Sequence, residues 1–158
     1  MALRRPHPDE PLLVSACLLG GRCRYDGATK ASTAVAAAAE SWTAAGGLVV
    51  TVCPEQLGGL PTPRPPADLR GGDGQAVLDG RATVSRVEDG GDVTEAFVAG
   101  AERSLEQAPA ARIAVLKARS PSCGIARTEI DGAQRPGDGV FAALLRRRSI
   151  ELIGDEEL

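Results

Sequence analysis

Three short apolar runs each hand over to a cysteine, and this pattern constrains the fold more than any other feature of the chain. Leu12-Leu13-Val14-Ser15-Ala16 leads into Cys17, and Leu48-Val49-Val50-Thr51-Val52 leads into Cys53. Ile113-Ala114-Val115-Leu116 reaches Cys123 after a short loop. Continuous apolar runs of this length mark strands buried on both faces of a parallel sheet. Neighbouring parallel strands end on one edge, where open α/β sheets place their ligand crevice. Three thiols far apart in sequence then meet in one pocket. There they can hold a metal or cluster and leave one coordination position open for chemistry.

Composition supports such a core. One Trp, one Tyr and two Phe leave Leu, Val, Ile and Ala to fill it, which suits a parallel sheet covered by Ala-rich helices. A length of 158 residues implies one domain, 1–158, with a flexible segment at 1–10 ahead of the folded 11–158. The first ten residues carry Arg and Pro but no apolar stretch, so neither a signal peptide nor an anchor is expected. No run is long and apolar enough to cross a membrane. The expected location is the cytoplasm, where thiols stay reduced and four cysteines point to metal binding or catalysis rather than disulfides. The net charge is −3, and the one basic run, Arg146-Arg147-Arg148, complements a helix C-terminus. No nucleic-acid partner is expected.

The periodicity predicts strands at 11–16, 48–52, 112–118 and 150–153. Helices are expected over 30–45, stopped by Gly46-Gly47, and from 92 to about 108, with Phe97, Ala101 and Leu105 on one face. Asp92-Val93-Thr94-Glu95 reads as a capping box with Asp in place of Ser or Thr. A last helix spans 140–148 with Asp138 as N-cap. Cys53 to Gly74, with five prolines and five glycines, reads as a rigid, irregular loop wrapping a site. Gln75 to Val87 reads as a small hairpin turning at Asp79-Gly80. Asp155-Glu156-Glu157 reads as a solvated tail. Together these elements give a three-layer, Rossmann-like α/β fold. Its sheet is mainly parallel, with helices on both faces and a small β-hairpin insertion.

The cysteine spacing matches neither a zinc ribbon nor the ferredoxin run. Soft thiolates in a dispersed set select zinc, Cu(I) or iron–sulfur. The only histidine, His7, lies in the N-terminal segment and reads as a solvated residue. Cys23 is either a fourth ligand that closes the site or a plain loop thiol; closed tetrahedral sites are structural and open ones catalytic. Glu55, two residues after Cys53, is either a general base or an exposed carboxylate. Ser120 and the adjacent Ser122 are either proton relays or turn residues. Arg64 and Lys117 read first as surface charges, second as binders of an anionic or carbonyl-bearing substrate. Gly137-Asp138-Gly139 could offer helix-start amides to an anion.

Four motifs carry a family resemblance: Val14-Ser15-Ala16-Cys17-Leu18-Leu19-Gly20, Cys23-Arg24-Tyr25-Asp26-Gly27, Val52-Cys53-Pro54-Glu55-Gln56-Leu57-Gly58-Gly59-Leu60-Pro61-Thr62-Pro63-Arg64-Pro65-Pro66, and Lys117-Ala118-Arg119-Ser120-Pro121-Ser122-Cys123-Gly124. From about Leu12 to its end the chain resembles the thiouracil desulfurases, a bacterial domain family. The resemblance implies a [4Fe-4S] cluster held by Cys17, Cys53 and Cys123, with one iron lacking a protein ligand and Cys23 outside the shell. It further implies Glu55 and Ser120 as catalytic residues. The implied reaction is non-redox: the sulfur of a small thiolated pyrimidine is replaced by oxygen from water and leaves onto the open iron. The family's Tyr-Asp-Gly-Thr-Phe-like stretch is here Glu129-Ile130-Asp131-Gly132-Ala133-Gln134-Arg135, without the aromatics; if those stack a base, either a different substrate preference or a weaker affinity is expected. Two other functions fit the cysteines alone. One is a non-catalytic iron–sulfur or zinc protein for redox sensing or sulfur transfer, closed by Cys23; the other is a metal-free thiol-redox enzyme.

Overall fold

The computed structural model describes residues 2–158. Strand β1 (Pro11–Ser15) opens the domain and passes into a 3-10 turn at Ala16–Leu19. Helix α1 (Thr33–Ala44) returns the chain to β2 (Leu48–Val52), parallel to β1 with Leu13 opposite Val50. Helix α2 (Pro54–Leu57) follows at once, then β3 (Ala67–Arg70), α3 (Gly74–Leu78), β4 (Thr83–Arg86) and α4 (Thr94–Glu106). The chain ends with β5 (Ile113–Leu116), β6 (Arg127–Ile130), β7 (Ala133–Pro136), α5 (Val140–Arg147) and β8 (Glu151–Gly154).

The first sheet, ordered β2-β1-β5-β8, is parallel throughout. Alternate residues of its two central strands feed two cores. Leu13, Ala114 and Leu116 face Phe97, Ala101 and Leu105 of α4 and Phe141 and Leu145 of α5. Leu12, Val14, Ile113 and Val115 face Val35 and Trp42 of α1. Helices therefore cover both faces, as expected. A second, mixed sheet is ordered β4-β3-β6-β7. Among the described residues no helix is long and apolar enough to cross a membrane.

Several local expectations are corrected. β2 is an edge strand, so its apolar run is not buried on both faces, and Leu48 is 50% exposed. α1 starts at Thr33 rather than residue 30, because Ser32 Oγ accepts the Val35 amide and caps it there. The segment after Cys53 is not irregular throughout: it contains α2 and β3. The 75–87 hairpin is absent. Asp73 caps α3 by accepting the Ala76 amide, and Gly80, at φ +75°, ends that helix in the left-handed conformation. A true hairpin joins β6 to β7 through Asp131-Gly132, both at positive φ. Asp92 forms no capping box; its carboxylate accepts the Thr94 amide, and Val93 is the N-cap. Gly139, not Asp138, is the N-cap of α5. Asp155 is tied to the fold, accepting the Ala118 amide at 2.8 Å.

Candidate active site

Register brings the cysteines together. Ser15 stands opposite Val52, so Cys17 and Cys53 leave adjacent strands side by side. β5 lies on the other side of β1. The strand order reverses between β1 and β5, the place where open sheets leave a crevice. The three loops after β1, β2 and β5 enclose a cavity of about 280 Å³. Cys17, Cys53 and Cys123 line it, together with Cys23, Glu55, Arg64, Ser120, Ser122, Lys117 and Tyr25.

Each cysteine is held by its local geometry. Cys53 is extended and is the N-cap of α2, whose first residue is Pro54, so the backbone turns sharply at the sheet edge. That turn puts Glu55 in the first helical turn, on the cavity wall. α2 sits directly on α4: a Cβ on Gly100 would collide with the Pro54 carbonyl, and a Cβ on Gly58 with that of Ala96. Arg103 of α4 donates to the Leu57 carbonyl and closes the far end of α2. The Cys123 loop is fixed by Ser120, whose Oγ accepts the Cys123 amide at 2.7 Å. The first amides of α5 donate to the Pro121 and Ser122 carbonyls. The helix start once open to an anion is therefore occupied by the protein itself. Asp138 instead accepts the Ala126 amide and a bidentate pair of bonds from Arg146.

The thiols lie within electrostatic reach of one another. Ionised Cys123 and Cys53 both oppose ionisation of Cys17. The Cys23 thiol donates to the Gly21 carbonyl, and the Cys53 thiol donates to the Cys23 carbonyl, both at 3.7 Å. The neighbouring Cys23 shifts the Cys17 pKa down and the Cys53 pKa up. Burial pushes Cys123 up to about 12. All four are free cysteines. Among the described residues no three His, Cys, Asp or Glu side chains are arranged to hold a single metal ion. Three soft thiols ringing a cavity do fit an iron–sulfur group in their chemistry.

Glu55 faces this cavity with both oxygens engaged. Oε1 accepts from Arg64 Nε at 3.0 Å, and Oε2 accepts from Ser122 Oγ at 3.3 Å. Ser122, rather than Ser120, is thus the hydroxyl in contact with the carboxylate. Arg64 is neither a surface charge nor free to bind substrate. It is buried and donates to Glu55, Pro61, Thr62 and Cys23. Lys117 donates to the Ala118 carbonyl, and burial lowers its pKa. Tyr25, which sequence reasoning passed over, is the aromatic residue of the cavity wall.

A family model described as 2-thiouracil desulfurase matches residues 12–157. YbbK of Bacillus subtilis (strain 168), an uncharacterized protein, is 40% identical over 152 residues, covering 93% of this chain and 97% of its own. A solved structure of TudS, a [4Fe-4S]-dependent thiouracil desulfidase, is 41% identical with a TM-score of 0.74, covering 94% of this chain and 93% of its own. The chain belongs to the 2-thiouracil desulfurase family.

Proposed function

We propose that this member of the 2-thiouracil desulfurase family replaces the thiocarbonyl sulfur of a small thiolated pyrimidine with oxygen from water. Cys17, Cys53 and Cys123 are the residues that would hold a [4Fe-4S] cluster in the cavity. Bound through three thiolates, such a cluster supplies one iron without a protein ligand, a soft Lewis acid for sulfur. The observation that carries the proposal is the placement of Glu55 on the same cavity wall as the three thiols, oriented by Arg64 and Ser122.

The remaining work falls to side chains. Glu55 takes a proton from water as a carbon–oxygen bond forms at the thiocarbonyl carbon. The new hydroxyl gives its proton to the departing sulfur as the carbon–sulfur bond breaks and the carbonyl forms, and sulfur leaves with the electron pair. Glu55 returns its proton, with Ser122 hydrogen-bonded beside it as a relay. The sum is thiocarbonyl plus water giving carbonyl plus hydrogen sulfide, with no net oxidation or reduction. Tyr25 offers a face to the pyrimidine ring, and Ser120 serves by holding the Cys123 loop.

The test uses anaerobically prepared, iron-loaded protein and 2-thiouracil. Uracil and sulfide appear in equal amounts, and Glu55→Gln retains its iron while losing turnover on the order of a hundredfold or more. Absence of sulfide release from the iron-loaded protein, or full turnover in Glu55→Gln, contradicts the proposal. One observation favours a second function, a closed and non-catalytic cluster: Cys23 lines the same cavity as Cys17 and Cys53, and its carbonyl accepts from the Cys53 thiol at 3.7 Å. It requires Cys23→Ser to lose iron and Glu55→Gln to change nothing.

A further inference from the structure

A single buried side chain, Arg64, bonds to both of the residues on which the proposed site depends. Cys23 must stay out of the ligand shell, and Glu55 must face in. Arg64 Nη2 donates to the Cys23 carbonyl at 2.7 Å while its Nε donates to Glu55 Oε1 at 3.0 Å. Its Nη1 donates to the Pro61 carbonyl and to Thr62 Oγ1. Its own backbone amide donates to the Tyr25 carbonyl at 2.6 Å. The side chain is 5% exposed. A planar guanidinium presents its donors in a fixed fork, so these contacts set the spacing between the Cys23 backbone and the Glu55 carboxylate.

We propose that Arg64 is a positioning residue that keeps the site open. It anchors the Cys23 backbone so that the Cys23 thiol cannot advance to become a fourth ligand, and it aims Glu55 at the cavity. Cys23 lines the same cavity as Cys17 and Cys53, and its carbonyl accepts from the Cys53 thiol at 3.7 Å. Only the position of its backbone then separates a spectator thiol from a ligand. Pro61, Pro63, Pro65 and Pro66 surround Arg64 in sequence and make its loop stiff, which suits an anchor. A lysine keeps the charge but loses the fork, and one ammonium cannot reproduce all of these bonds.

This inference rests on the proposed three-cysteine site, and the experiment separates the two. Wild type, Glu55→Gln, Arg64→Gln, Arg64→Lys and the double variant Arg64→Gln/Cys23→Ser are loaded with iron anaerobically. Their folding is checked by circular dichroism. The reduced cluster is followed by electron paramagnetic resonance while sodium sulfide is added. An open iron responds to added sulfide, and a cluster closed by a fourth thiolate does not.

Wild type and Glu55→Gln respond. Arg64→Gln binds the same iron but no longer responds, and the double variant responds again. Turnover of 2-thiouracil in Arg64→Gln falls about ten- to a hundredfold in kcat with little change in KM. The double variant recovers the spectrum but not kcat, because Glu55 remains unaimed. Arg64→Lys, the conservative change, recovers part of kcat and part of the sulfide response. A sulfide response in Arg64→Gln equal to that of wild type, with kcat unchanged, overturns the role of Arg64. A wild type that binds iron but never responds to sulfide overturns the open site itself.

Discussion

Arg64 Nε lies 3.0 Å from Glu55 Oε1, and both side chains form the wall of the cavity ringed by four cysteines. The pair is well shielded, at 5% and 16% exposure. It joins the Pro-rich loop to the first turn of α2, and therefore joins the proposed base to the segment that carries Cys53. The pair exists only if the loop after α2 closes back over its own start.

Removing the aromatic face of the cavity tests how the ring is held. A stacking contact is worth roughly 0.5–1.5 kcal/mol. Tyr25→Ala is expected to raise KM for 2-thiouracil about two- to tenfold with kcat little changed. Steady-state kinetics on the iron-loaded protein decide it, and an unchanged KM removes Tyr25 from substrate binding.

The seat of α2 on α4 has no room for a side chain at Gly100, where a Cβ would meet the Pro54 carbonyl, a backbone group unable to swing aside. Gly100→Val is expected to destabilise the fold by roughly 1–3 kcal/mol. It should also reduce turnover, because α2 carries Glu55. Thermal unfolding reads the first effect, and a melting temperature equal to that of the parent counts against the close approach.

Acid sensitivity follows from the N-terminal ion pair. Arg4 bonds the buried Glu10 carboxylate through Nη1 and Nη2, and that hydrogen bonding lowers the Glu10 pKa from 4.5 to about 2. The folded value lies below the unfolded one. The stabilisation is therefore complete above about 4.5 and is lost as pH falls through about 2. Arg4→Ala should lower stability at pH 7 and flatten its dependence on pH across that window. Urea midpoints at a series of pH values check this, and an unchanged pH dependence contradicts it.

Much of this architecture is legible in local sequence because its causes are local. Leu13, Val14 and Ile113 to Leu116 are buried on both sides, and their uninterrupted apolar runs say so directly. β2 misleads for a non-local reason: Val49-Val50 has the same composition, but no strand lies beyond it. Asp79-Gly80 suits a hairpin turn and a helix end equally well, and the Asp73 cap several residues earlier selects the helix. The three cysteines and Glu55 were legible as neighbours in one cavity from their place just after strands. Arg64 was not, because its partners at Glu55 and Cys23 depend on closure of a loop that no short-range pattern encodes. The Ser122 contact with Glu55 depends on the same tertiary geometry.

The most direct measurement of the central claim is iron per chain in four single cysteine-to-serine variants, prepared anaerobically beside the parent. Parent and Cys23→Ser should each hold about four irons, the content of a cubane cluster. Cys17→Ser, Cys53→Ser and Cys123→Ser should each lose most of theirs. Full iron in any of those three, or its loss in Cys23→Ser, would contradict the three-cysteine site.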